Sequence, residues 1–188
     1  MKERENQSDR KSIAKILDGD DAAFSELVER YLKPIYNFLF TLTRDQSALD
    51  DLTQVTFIKA WKNISSFDQS KSFKTWLFTI AKNTAYDYLK KKKTVPFSAF
   101  ADEEGRNVLE EINEDKPLPD EILERADLSA EIEKKLEEIP APYRTILLLH
   151  YKDDFSLQEI SQILGHPYNT IKSQHNRALQ VLKKTFDK

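Results

Sequence analysis

The densest chemistry in this chain lies near its C-terminus. Thr170, Lys172, Ser173, Gln174, Asn176 and Arg177 bring hydroxyl, amide, ammonium and guanidinium groups into one short segment. These are the groups that bond base edges and grip phosphate oxygens. Ile171, His175, Ala178 and Leu182 interleave with them at helical spacing, which puts the polar set on the opposite side. A second cluster is Lys82, Asn83, Tyr86 and the run Lys90, Lys91, Lys92 and Lys93. As a helix end this run suits the dipole; behind an exposed polar face it suits a nucleic-acid backbone. Upstream, Phe67 stands in a polar loop with Asp68, Gln69, Ser70 and Lys71. An aromatic ring there can wall a pocket for an unpaired base, with hydrogen-bonding neighbours to read its edge. Trp61, Phe73 and Trp76 could stack on bases too, but helical spacing assigns Phe73 and Trp76 to the core. Asp50, Asp51 and Gln54 form a third set, suited to the first turns of a helix or to a partner contact.

Other chemistry is excluded. The chain has no cysteine, hence no disulfide and no thiolate metal site. His150, His166 and His175 are scattered over helix, turn and helix, and their spacing makes no metal site. With 3 glycines there is no Gly-rich phosphate loop, and no spacing marks a catalytic triad. The expectation is a protein with no cofactor, no metal and no catalysis of its own. The net charge of -3 looks wrong for a nucleic-acid binder, but its distribution decides. Residues 71–93 are basic, residues 102–138 acidic and residues 166–188 basic again. The first twenty residues are charged and lack the apolar stretch of a signal peptide, and no apolar run approaches a membrane span. A cytoplasmic protein without membrane insertion is expected.

The elements that must position these groups are helices. Scarce glycine disfavours β-rich folds. A helix starting near Asp20 carries Phe24, Leu27, Val28 and Tyr31, with an interruption expected at Pro34. Ser47 fits a cap for a helix running from Asp50 to Ile64. Ser72 caps the next, which carries Phe73, Leu77, Ile80, Ala81 and Thr84. Residues 94–126 combine acids with Pro96, Pro117 and Pro119 and read as a flexible linker. A second domain follows over 127–188, with Leu128, Ile132, Leu136 and Ile139 in one stripe and a helix from Pro142 to Tyr151. Ser156 and Glu159 make a capping box, Gly165 breaks the helix it opens, and a long helix begins at Tyr168. Short helix, Gly turn and long helix form a helix-turn-helix. The fold class is therefore all-α, two helical domains joined by an acidic linker.

At this point the residues resemble a known family. Residues 50–62, DDLTQVTFIKAWK, are similar to EDLVQETFLRAWR of the extracytoplasmic-function (ECF) bacterial sigma factors. Residues 73–83, FKTWLFTIAKN, resemble FRAWLFRIARN, and 87–93, DYLKKKK, resemble DYLRRRR. Residues 156–165, SLQEISQILG, are similar to SYEEIAEILG, and 169–173, NTIKS, to GTVKS, with Arg177-Ala178 matching its RA. Two departures stand out: Val55 takes the place of a Glu, and Gln174-His175-Asn176 that of a more basic RLH.

The resemblance implies a factor that directs promoter-specific transcription initiation. Residues 1–93 would bind core RNA polymerase and melt the −10 element. Phe67, Asp68, Gln69, Ser70, Lys71, Lys82, Asn83, Tyr86 and Lys90 would meet the DNA there. Asp50, Asp51 and Gln54 would contact the polymerase β′ coiled coil. Residues 127–188 would read the −35 element through Thr170, Lys172, Ser173, Gln174, Asn176 and Arg177, close to the polymerase β flap. Promoter DNA, core polymerase and an anti-sigma protein are the implied partners. The alternative is a helix-turn-helix regulator that binds duplex DNA by itself, for which dimer symmetry is expected.

Overall fold

A computed structural model describes residues 2–92 and 135–186. The linker expected at 94–126, and Leu128 and Ile132 of the following stripe, lie outside the described residues. Every regular element among those described is helical.

The first helix, α1 (Lys2–Leu17), was not anticipated in the charged N-terminal stretch. Its inward side carries Ile13 and Ile16 together with Asp9, all buried. Asp9 accepts a hydrogen bond from the Tyr31 hydroxyl at 2.6 Å and pairs with Arg30. Burial pushes the Asp9 carboxyl up, against the bonds from Tyr31 and Arg30 that favour its charge.

Helix α2 (Ala23–Thr43) runs straight through Pro34, where an interruption was expected. Proline removes one helix hydrogen bond. Here Leu27, Tyr31, Ile35, Phe38, Leu39 and Leu42 are all buried along one side and hold the helix across it. Each fully buried side chain of this size contributes about 1.5–3 kcal/mol, enough to outweigh that loss. The helix ends at Arg44, in a left-handed conformation (φ 51°), whose N–H donates to the Phe40 carbonyl.

Asp45, rather than Ser47, is the capping acceptor that follows. Its carboxylate accepts from the Ser47 N–H at 3.1 Å and starts a short turn, Gln46–Ala48, before α3 (Leu49–Asn63). Helix α4 (Phe73–Lys92) begins at Ser72, whose hydroxyl accepts from the Thr75 N–H at 3.3 Å. It is buried on several sides, through Phe73, Thr75, Leu77, Phe78, Ala81, Thr84, Ala85 and Leu89. It packs on α2 and α3 and takes the C-terminal helices on its remaining side.

Those helices are α5 (Ala141–Leu147), α6 (Leu157–Leu164) and α7 (Tyr168–Phe186). Helix α5 continues into a π-helical turn, Leu148–Lys152, after which the Phe155 N–H closes back on the Leu149 carbonyl at 2.9 Å. The core is shared between the two halves. Ile146, Leu149, Phe155, Ile160, Ile163 and Ile171 join the cluster built by α1–α4. A smaller cluster, Leu136, Ile139, Leu147, Ala178 and Leu182, fixes α5 against α7.

Candidate nucleic-acid interface

The helix-turn-helix is built from the expected signals. The Ser156 hydroxyl accepts from the Glu159 N–H at 3.3 Å, and the Glu159 carboxylate accepts from the Ser156 N–H at 2.8 Å. Gly165 takes a left-handed conformation (φ 76°), open to glycine without the strain a side chain would add, and its N–H donates to the Ser161 carbonyl. Ile160 and Ile163 of α6 and Ile171 of α7 close over each other in the core.

On α7, Lys172, Ser173, Asn176 and Arg177 are exposed and Thr170 is half-buried. The Ser173 hydroxyl donates to the Thr170 carbonyl at 2.9 Å, leaving its lone pairs toward solvent. Gln174 departs from the expectation: it is buried, beside His175. Position 174 falls three residues after Ile171 and four before Ala178, so helical geometry carries it inward despite its polarity. Asn169, one turn before Ser173, was not singled out and is exposed. His175 and His150 lie ring to ring at 5.0 Å, and His150 Nδ1–H donates to the Phe155 carbonyl at 2.7 Å. Their role here is packing.

In the loop 65–72, Phe67 also departs from expectation. It is buried, edge-on to Phe73 at 5.7 Å and tilted on Trp76 at 5.0 Å, so it closes the core instead of facing a base. Asp68 shapes the loop. Its carboxylate accepts from the Ser70 N–H at 3.0 Å and hydroxyl at 2.7 Å, and these bonds hold it below the usual carboxylate range. Gln69, Ser70 and Lys71 remain exposed.

Along α4, Asn83 and Lys90 are exposed, but Lys82 and Tyr86 are half-buried under the C-terminal helices. The Lys82 ammonium sits 5.3 Å from the Tyr86 ring centre, and burial lowers its pKa. Burial also pushes the Tyr86 hydroxyl up to about 12. Tyr86 lines a small cavity with Ile146, Leu164, His166 and Gln174.

Asp50, Asp51 and Gln54 are exposed on α3, and Asp50 and Gln54 border an open groove of about 840 Å³. Its floor is apolar: Phe24 and Leu32 of α2, Phe57, Ile58 and Trp61 of α3, with Phe24 and Trp61 edge-to-face at 4.9 Å. Leu32, Ile58 and Trp61 are among the most exposed large apolar side chains described. Sequence reasoning found the polar rim and missed the floor. The signal was a second apolar row on α2 and α3, set away from the row that fills the core.

Two family models match the chain: Sigma-70 region 2 over residues 27–95, and Sigma-70, region 4 over residues 129–182. The ECF RNA polymerase sigma factor SigW of Bacillus subtilis (strain 168) is 34% identical over 177 residues, which span 93% of this chain and 95% of that protein. The chain belongs to the ECF sigma factors. SigM of the same organism is 32% identical over 164 residues, covering 87% of this sigma factor and 94% of its own length. Among solved structures, RpoE in complex with the anti-sigma factor NepR from Bartonella quintana superposes with a TM-score of 0.61 at 25% identity, over 87% of this chain and 96% of that one. CnrH in complex with the cytosolic domain of CnrY has a TM-score of 0.65 at 22% identity, covers 96% of this chain and 97% of its own, and shares the fold. The protein is a sigma factor for promoter-specific transcription initiation. Among the described residues no helix is long and apolar enough to cross a membrane.

Proposed function

We propose that this sigma factor divides its work between a region over 1–93 and a region over 127–188, joined by the acidic segment 94–126. The first region binds core polymerase through the α2–α3 groove and its rim, Asp50, Asp51 and Gln54. A partner helix with an apolar stripe and basic flanks, such as one strand of the β′ coiled coil, suits an apolar floor edged by acids. The same region takes the −10 element through Gln69, Ser70, Lys71, Lys82, Asn83, Tyr86 and Lys90. Asp68 and Phe67 support that surface from behind. The second region reads the −35 element through Lys172, Ser173, Asn176 and Arg177, with Thr170 at the margin, and lies near the β flap.

The observation that carries this reading is the outward stripe of α7, with all four side chains exposed on the second helix of a capped helix-turn-helix. Stand-alone operator binding is not favoured, because matches to both sigma regions lie in one chain. An anti-sigma protein is a fitting partner, since RpoE is seen with one. The working compartment is the cytoplasm, where polymerase and promoters meet, and the chain carries out no chemistry of its own.

Run-off transcription from a promoter library with core polymerase tests the reading. The wild-type chain is expected to select promoters sharing spaced −10 and −35 elements. Asp51→Arg is expected to weaken core binding in competition against wild type while circular dichroism stays unchanged. Tight, sequence-specific duplex binding without polymerase, and no stimulation with it, would overturn the assignment.

A further inference from the structure

Resting on the sigma reading, we propose that the helix-turn-helix is an intramolecular lid on α4: in the free chain the two DNA-reading surfaces cover one another, and promoter binding requires α5–α7 to lift away.

The contact has an apolar centre and a polar edge. Phe155, which lies between the π-helical turn and α6, stands edge-to-face on Phe78 of α4 at 4.8 Å, and both rings are buried. Lys74, in the first turn of α4, donates to the Asp153 carbonyl at 2.5 Å and holds its ammonium 4.9 Å from the Phe155 ring centre. The Thr75 hydroxyl donates to the Glu159 carboxylate at 3.5 Å. One turn further along α4, a Cβ placed on Gly165 would stand 3.9 Å from the Lys82 ammonium. Beyond that, Tyr86 shares its cavity with His166 and Gln174.

The occlusion follows from distances. Lys82 and Tyr86 are two of the residues assigned to the −10 element, and the turn of the helix-turn-helix lies against both. A DNA strand is several ångströms thick and cannot enter surfaces in van der Waals contact. From the other side, Gln174 belongs to the recognition helix yet is committed to this interface. A contact with a ring pair at its centre and charged groups at its edge resembles releasable interfaces between domains more than a continuous core. A binding-competent form that is only fractionally populated lowers apparent affinity by that fraction. Polymerase docking at the α2–α3 groove leaves the lid face untouched, so it can precede opening.

The absence of cysteine makes the test direct. Dyes on Lys62→Cys and Gln180→Cys, both exposed positions, report the separation of the halves. Energy transfer is expected to be high in the free chain and to fall when core polymerase is added. Low transfer in the free chain would overturn the proposal. In a second protein, Thr75→Cys and Glu159→Cys are joined by a short bismaleimide. Linked and unlinked forms are compared for binding a fluorescent pool of random single-stranded DNA and for run-off transcription. Linking is expected to reduce both by at least about tenfold, as removal of the open form demands. Equal binding and transcription by the two forms would sink the lid. Failure of the wild-type chain to start transcription with core polymerase counts instead against the sigma reading; the free-chain transfer and the DNA-pool comparison decide the lid regardless.

Discussion

Arg177 and Lys172 stand side by side on the outer face of α7, and their variants are expected to differ in kind. A guanidinium can bond guanine through two parallel hydrogen bonds; an ammonium is a point charge for phosphate. Arg177→Ala is expected to cost about 1–3 kcal/mol at promoters with the matching base and to relax preference at that position. Lys172→Ala is expected to weaken all promoters alike and to reduce the salt slope by about one. Promoter-library transcription at several salt concentrations separates them. If Arg177→Ala scales every promoter equally, it is a phosphate contact and base reading passes to Ser173 and Asn176. At this scale the sequence was legible where polarity and periodicity agreed, as at Lys172, Ser173, Asn176 and Arg177. It misled where they conflicted. Gln174 carries an amide at an inward position of the 171–178 stripe, and Phe67 is an aromatic in a polar loop that turns back into the core.

At the scale of elements, local signals with a mechanism carried through. The capping box at Ser156 and the cap at Ser72 begin helices where the residue types required it. Pro34 misled because its effect is local, whereas the burial that holds α2 together extends over the whole helix. Helix α1 was hidden because its inner side pairs only two isoleucines with a buried acid, which no apolar periodicity shows. That acid ties α1 down through Arg30 and Tyr31. Asp9→Ala leaves a buried guanidinium and phenol without their acceptor and is expected to cost about 3–5 kcal/mol in urea unfolding. A loss under about 1 kcal/mol would mean that α1 adds little to the fold. The groove between α2 and α3 is an element-scale feature too. Ile58→Asp is expected to leave thermal unfolding nearly unchanged, since Ile58 is 44% exposed, while lowering core polymerase affinity by at least about tenfold. Unchanged affinity would remove the apolar floor from the interface.

For the whole molecule, the order of helices was readable, but how the two halves meet was not. The meeting depends on Phe155, Lys74 and Thr75 coming together from distant positions, and no local pattern encodes such a match. This contact also has a pH dependence. Asp153 is raised to about 7 from its usual 3.8, chiefly by burial, with Asp154 adding to the rise and Lys74 and Lys152 opposing it. The folded chain thus favours the protonated acid. That stabilisation is complete below about pH 4 and is lost as pH rises through about 7. The melting temperature is expected to fall across this window, and Asp153→Asn is expected to flatten that part of the slope. An identical slope in the variant would show that Asp153 titrates as it does in the unfolded chain.

The π-helical turn at Leu148–Lys152 has a consequence for how this chain can change over generations. A π turn holds one residue more than an α-helix allows over the same span. Deleting one residue there would restore regular α geometry and look harmless locally. Each α-helical residue, however, advances the chain by about 100° of rotation. Everything downstream would swing by about that angle, and Phe155 would no longer meet Phe78. Single-residue deletions between 148 and 152 should therefore be far rarer in viable descendants than substitutions at the same positions. A deletion-scanning library selected for function would show the turn as a gap in tolerated lengths.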